Sequence, residues 1–146
     1  MKEKQIVQLK TVPGFQHAED NYWYRPLLFG KDLFMYVAHV PPGGDMPAGG
    51  HAEKEEFELA LFMLEGELEI SYDDERITIG PETALHASPD TAFGVKNNGS
   101  VTASFVLTFS PPPGINSVEA LRARYAERNR TVKTAEETNA LRALKA

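Results

Sequence analysis

The chain has 146 residues and no cysteine, which excludes disulfides, thiolate nucleophiles and Cys-based zinc sites. Hydrophobic residues make up 42% of it, the share of an ordinary globular chain once glycine is added, and no apolar run reaches the ~18 residues of a membrane-spanning helix. The net charge is −6, and ten of the 21 acids fall between Glu53 and Glu75 with Lys54 as the only base there, a band that repels phosphate backbones and argues against nucleic acid as a partner.

Met1 to Gln5 shows no apolar core of a signal peptide, so a cytoplasmic location is expected. The run Asn21-Tyr22-Trp23-Tyr24-Arg25 then gathers three aromatics and a cation, a composition suited to a pocket lid, to packing on a barrel or to a subunit interface. From about Lys31 to Phe109 the pattern is one of short, alternating strands bounded by Gly, Pro or Asp. Leu33 to Val40 is the first, stopped by Pro41-Pro42-Gly43-Gly44. Phe57 to Leu64 turns at Glu65-Gly66 into Glu67 to Tyr72, and Asp73-Asp74-Glu75 turns again. Arg76 to Ile79, Thr83 to Ala87, Phe93 to Lys96 and Val101 to Phe109 follow. Seven short strands predict an all-β sandwich or barrel.

Two helices are expected after Pro113, because Asn116 with Glu119 and Thr134 with Glu137 have capping-box spacing. Val118, Leu121 and Tyr125 share one face, as do Leu141 and Leu144. Seven of the 15 bases lie beyond Leu121. The organisation is therefore a barrel with its N-terminal arm over residues 1–112 and a helical tail over 113–146.

Alternation assigns faces. In Phe57 to Leu64 the set Phe57, Leu59, Leu61 and Met63 is apolar and should face inward, with Glu58 pointing out. Leu68, Ile70 and Tyr72 face in after Gly66, and Val101, Ala103, Phe105, Leu107 and Phe109 form the inner face of the last strand. The interior reads as apolar, with few polar groups converging on it.

Two segments carry a resemblance to a known family. Pro41 to Ile70, PPGGDMPAGGHAEKEEFELALFMLEGELEI, is similar to the first motif of the cupin superfamily. Gly80 to Gly99, GPETALHASPDTAFGVKNNG, resembles the second through Pro89, Asn97 and Gly99. The likeness spans about residues 31–112. It implies a cupin-type antiparallel β-sandwich or barrel, the double-stranded β-helix, with the C-terminal helices added. A weaker likeness, in FELALFMLEGELEI, is to the non-catalytic half of two-barrel cupins of the ureidoglycine aminohydrolase type.

The superfamily's usual metal site takes two His and a Glu from the first motif and a His from the second, leaving positions open for substrate or dioxygen. Here the Glu position holds Leu59 and the second-motif His position holds Phe93. The paired-His positions hold either His51 and Glu53 or Gly49 and His51. At most two of four ligands survive, so no standard metal cofactor is expected. The alternative is a divalent transition metal bound weakly through His51, Glu53 and His86.

His51 follows a Gly-rich loop at the expected barrel mouth and could serve as general base, ligand or hydrogen-bond donor, or simply be an exposed loop histidine. Glu53 could pair with it, or belong to the solvated acidic run Glu53-Lys54-Glu55-Glu56. His86 facing inward would approach His51; facing outward it would lie on the surface or at a subunit contact. Leu61, Met63 and Phe93 would floor an apolar pocket suited to a flat ligand, or close a filled core. His39 is a further candidate to face inward, and His17 precedes the barrel with no role assigned to it.

The functional expectation is a cupin-fold protein binding a small organic ligand without a standard metal centre, with His51 and Glu53 as candidate acid–base groups. The alternatives are a metal-dependent enzyme with rearranged ligands and a non-catalytic dimer. A homodimer is expected in any case, since an open barrel leaves strand edges to cover.

Overall fold

A computed structural model of the chain describes residues 4–47, 54 and 56–145. Eleven strands, two α-helices and a one-turn 3-10 helix (Leu9–Thr11) are present among them. A sheet of seven strands runs in the order β11 (Val132–Lys133), β1 (Gly14–Gln16), β2 (Trp23–Phe29), β3 (Phe34–Val40), β10 (Ala103–Ser110), β5 (Glu58–Glu65) and β8 (Ala84–Ala87). A sheet of four faces it, in the order β4 (Asp45–Met46), β9 (Phe93–Lys96), β6 (Leu68–Tyr72) and β7 (Glu75–Ile79). Every paired strand is antiparallel. The all-β sandwich expected from the alternation is the architecture observed.

Alternation explains β5 directly. Leu59, Leu61 and Met63 are at most 2% exposed, while Glu58, Ala60 and Phe62 face out. Gly66 makes the following turn at φ 73°, and a Cβ there would meet the Ala103 Cα at 2.8 Å, so both conformation and space demand glycine. Leu68 and Ile70 then close the same core from the opposite sheet. Asn97 ties the turns of the two motif segments together. Its Nδ2 donates to the Val40 and Val101 carbonyls at 2.8 Å each, and its backbone exchanges hydrogen bonds with Gly43 and Gly44.

The sequence pattern missed β2. Pro26 interrupts WYRPLLF, and a proline inside a run counts against a strand. The structure places Pro26 where the β2–β3 register shifts, and β1 pairs only with Trp23 and Tyr24, so no ladder partner requires the missing N–H. Tyr22 and Trp23 are thereby buried within the chain. Val101 departs from its expected inward position: β10 begins at Ala103, and Val101 is 36% exposed in a bridge to Lys145.

The segment after Pro113 folds back on the barrel. In helix α1 (Val118–Glu127) the cap is Ser117, one residue later than the expected Asn116, with its Oγ accepting from Ala120 N at 3.1 Å. Helix α2 (Ala135–Arg142) has the expected capping box between Thr134 and Glu137. Between them β11 pairs with β1 and extends the large sheet. Leu121 and Tyr125 of α1 join Ile115 and Phe15 in a second core cluster beside that of the barrel.

Candidate functional site

A cavity of about 580 Å³ lies where the two core clusters meet. The barrel supplies Tyr36, Leu59, Phe93 and Leu107, and α1 supplies Leu121 and Tyr125. Its wall is aromatic because inward positions of β3 and β10 carry rings. Phe34 and Phe109 stand 5.3 Å apart between centroids, and Phe57 packs on Phe109 at 4.8 Å. Tyr24 and Tyr36 are 5.2 Å apart. Such a wall suits a flat, apolar ligand.

Three phenols, Tyr24, Tyr36 and Tyr125, line the cavity, and Tyr22 is hydrogen-bonded to one of them. Tyr24 and Tyr125 share a hydrogen bond of 2.7 Å, and the Tyr125 hydroxyl donates to the Gln16 carbonyl at 2.7 Å. Tyr22 and Tyr36 share another of 2.7 Å. Burial pushes all four phenols above the ordinary tyrosine range, so each is a neutral O–H at any physiological pH. For Tyr24 and Tyr125 the Arg130 guanidinium pulls weakly the other way.

The rim is basic. Arg124, Arg128 and Arg130 line the opening with His17, and no Asp or Glu lines the cavity among the described residues. His17 is offset by Asp20, whose Oδ2 lies 2.8 Å from Nδ1. No ion pair to any of the three arginines is present among the described residues. In a chain of net charge −6, this is a local reversal of sign at the mouth of this apolar cavity.

Residues 36–109, half of the chain, match the family model of the cupin domain. The chain belongs to the cupin domain family. Solved structures repeat this fold at low identity. A polyketide cyclase, RemF from Streptomyces resistomycificus, superposes with a TM-score of 0.66 at 17% identity, over 86% of this chain and 94% of its own. An RmlC-like cupin from Shewanella frigidimarina gives 0.64 at 15%, over 77% and 95%. A predicted oxalate decarboxylase from Thermotoga maritima gives 0.63 at 14%, over 72% and 97%. No curated protein shows a recognisable match to the sequence.

The usual cupin metal centre can be tested on the donors present. Leu59 and Phe93 occupy two of its four positions, both buried and both lining the cavity, and neither side chain has a lone pair to give. The residues do not fit that centre. Among the described residues, no three His, Cys, Asp or Glu side chains gather as a ligand set.

His51 and Glu53 lie outside the described residues. Pro47 and Phe57, on either side of their segment, both line the cavity. His86 sits on the outer face of the barrel. Its strand pairs with β5 so that His86 opposes Ala60, an outward position, and its Nε2 meets Glu58 Oε2 at 2.5 Å. Of the two placements open to His86, register matches the outward one, and the inward one as ligand or metal donor does not fit it. Leu61 and Met63 are packed in the barrel core, 1% and 0% exposed, further along β5 than the cavity wall. Phe93 is on that wall.

His39, too, faces away from the barrel core, since Ala38 and Val40 take the inward positions of β3. It is buried against Ser104, Nδ1 to Oγ 2.7 Å, and its Nε2 has no partner among the described residues. Sequence reasoning reached Tyr24 through the aromatic run at 21–25 and Tyr125 through the face it shares with Val118 and Leu121, but it did not single out Tyr36 or the three arginines as site residues.

Proposed function

We propose that this cupin domain binds a small, flat, largely apolar organic molecule in its aromatic cavity and does so without a standard cupin metal centre. The cavity itself carries the reading: about 580 Å³ of space walled by aromatic rings, in the size range of drug-like ligand sites. The fold admits such chemistry without dictating it, as the polyketide cyclase and the predicted oxalate decarboxylase on the same scaffold illustrate. His51 and Glu53 remain the candidate acid–base groups of the proposal. An imidazole within reach of the ligand would orient a ligand oxygen or move a proton.

Calorimetric titration with 2-naphthalenemethanol, a neutral two-ring probe, tests the reading. With about 12 non-hydrogen atoms, a dissociation constant on the order of 0.1–1 mM is expected. No heat of binding at several millimolar would overturn it. Replacing His51 with Ala should leave the fold intact and, for a natural ligand bearing a polar oxygen, weaken binding by about 1–3 kcal/mol.

A further inference from the structure

The hydroxyl hydrogens around the cavity do not all find acceptors among the described residues. Tyr22 and Tyr36 bring two hydrogens to one shared bond. Tyr22 is fully buried, and its hydroxyl has no other partner among the described residues. Its hydrogen therefore goes to the Tyr36 oxygen, and the Tyr36 hydrogen is left over. Tyr36 is among the residues that line the cavity and Tyr22 is not, so of the two hydroxyls that of Tyr36 is the one whose spare hydrogen a ligand could take up. The other phenol pair offers none, because Tyr125 donates to Gln16 and Tyr24 donates to Tyr125.

At the opening the three arginines present planar, permanently charged donors with no carboxylate partner among the described residues. A guanidinium pairs with a carboxylate through two parallel hydrogen bonds. Arg124 lies in the last turn of α1 and Arg128 is its C-cap. The negative end of the helix dipole tempers the field there, favouring a singly charged anion over a phosphate dianion.

We infer that the ligand is an aromatic carboxylate bearing a second, hydrogen-bond-accepting oxygen: its rings lie on the aromatic wall, its carboxylate meets Arg124, Arg128 and Arg130, and its second oxygen accepts from the Tyr36 hydroxyl. The inference rests on the proposal that the cavity takes a flat apolar molecule, and it adds charge and polarity to that molecule.

Calorimetry on the full chain separates the two. The probes are 2-naphthoate, its neutral counterpart 2-naphthalenemethanol, and 6-hydroxy-2-naphthoate. The carboxylate is expected to bind at least tenfold more tightly than the alcohol. Arg124→Gln combined with Arg128→Gln, both at exposed positions, should erase that preference and leave the alcohol within twofold. Tyr36→Phe should remove the advantage of 6-hydroxy-2-naphthoate over 2-naphthoate, expected to be threefold or more, and spare 2-naphthoate. Equal affinity for 2-naphthoate and the alcohol would overturn the inference while leaving the cavity reading intact. So would a carboxylate preference that survives the arginine changes. If neither two-ring probe binds, the cavity reading fails and takes the inference with it.

Discussion

The hydroxyl of Tyr24 on β2 lies 2.7 Å from the hydroxyl of Tyr125 on α1, joining residues 101 positions apart across the wall of the cavity. The pair is asymmetric. Tyr125 accepts from Tyr24 and donates to the Gln16 carbonyl, whereas Tyr24 makes only the shared bond. Tyr125→Phe removes two hydrogen bonds and leaves a donor and an acceptor unpaired. It should cost about 1–3 kcal/mol, against roughly 0.5–1.5 kcal/mol for Tyr24→Phe. Urea unfolding of the two variants checks the order. Equal losses would show that the Gln16 bond contributes nothing.

A second tie fixes α2. Arg25 on β2 is fully buried, with Nε donating to the Val12 carbonyl at 2.9 Å and Nη2 to Asn139 Oδ1 at 2.7 Å. Asn139 in turn donates to the Lys10 carbonyl at 3.1 Å. Removing the amide leaves a buried guanidinium short of an acceptor. Asn139→Ala should cost about 1.5–3 kcal/mol, the range for hydrogen bonds to charged groups. Faster amide exchange concentrated in α2 would accompany it, and unchanged exchange there would contradict this account.

The same region sets a pH dependence. Burial, with the charges of Arg25 and Arg142, lowers the pKa of His39 to about 3. In the unfolded chain it titrates near 6.5. Between those values the unfolded state binds a proton that the folded state refuses, so stability rises with pH across this window. The contribution is complete above about pH 6.5 and falls away as the pH drops toward 3. Between pH 7 and pH 4.5 the loss should be on the order of 2–3 kcal/mol. His39→Asn should flatten the stability profile there, as measured by denaturant unfolding at several pH values. A profile as steep as that of the parent would assign the acid sensitivity to other groups.

The outer face of the large sheet bears on association. Across β3, β10, β5 and β8 the register aligns Val37, Val106, Phe62 and Ala84 in one row. Phe62 in that row is 43% exposed, the largest exposed side chain on the sheet. Val37 at one end of the row is buried, so the exposed part is centred on Phe62, and a homodimer that covers it is proposed. Light scattering should give twice the chain mass at high micromolar concentration, and Phe62→Glu should halve it. A monomeric parent protein would refute the proposal.

The parts of this molecule that were legible in the sequence are those governed by local rules. Strand alternation put Leu59, Leu61 and Met63 inside and Glu58 outside, and the Gly66 turn and the Thr134 capping box were evident from spacing. The Leu59 and Phe93 substitutions at metal positions were visible by counting along the motif frames, and both residues reach the cavity. What escaped depends on tertiary placement. Pro26 hid β2 because its tolerance rests on how short β1 is. The face of His86 depended on which β5 residue it opposes, and that register is not local. The arginine rim exists only because α1 folds back over the barrel mouth, so in sequence its residues read as an ordinary basic helix.

Filling the cavity tests where binding occurs. Leu107 lies on β10, in the middle of the large sheet between Tyr36 and Leu61 in register, and its side chain is 3% exposed on the cavity wall. A larger side chain there extends into open space instead of into packed neighbours, so the overpacking cost of about 1–3 kcal/mol typical of a filled core should be largely avoided. Leu107→Trp is therefore expected to melt within a few degrees of the parent. The indole would occupy the space between the β3 and β10 rings, where a flat ligand is proposed to lie. Affinity for 2-naphthalenemethanol should drop at least tenfold. Leu64→Trp, half-buried on β5 and away from the lining, is the control and should bind as the parent does. Undiminished binding in Leu107→Trp with an unchanged melting temperature would move the ligand out of this cavity.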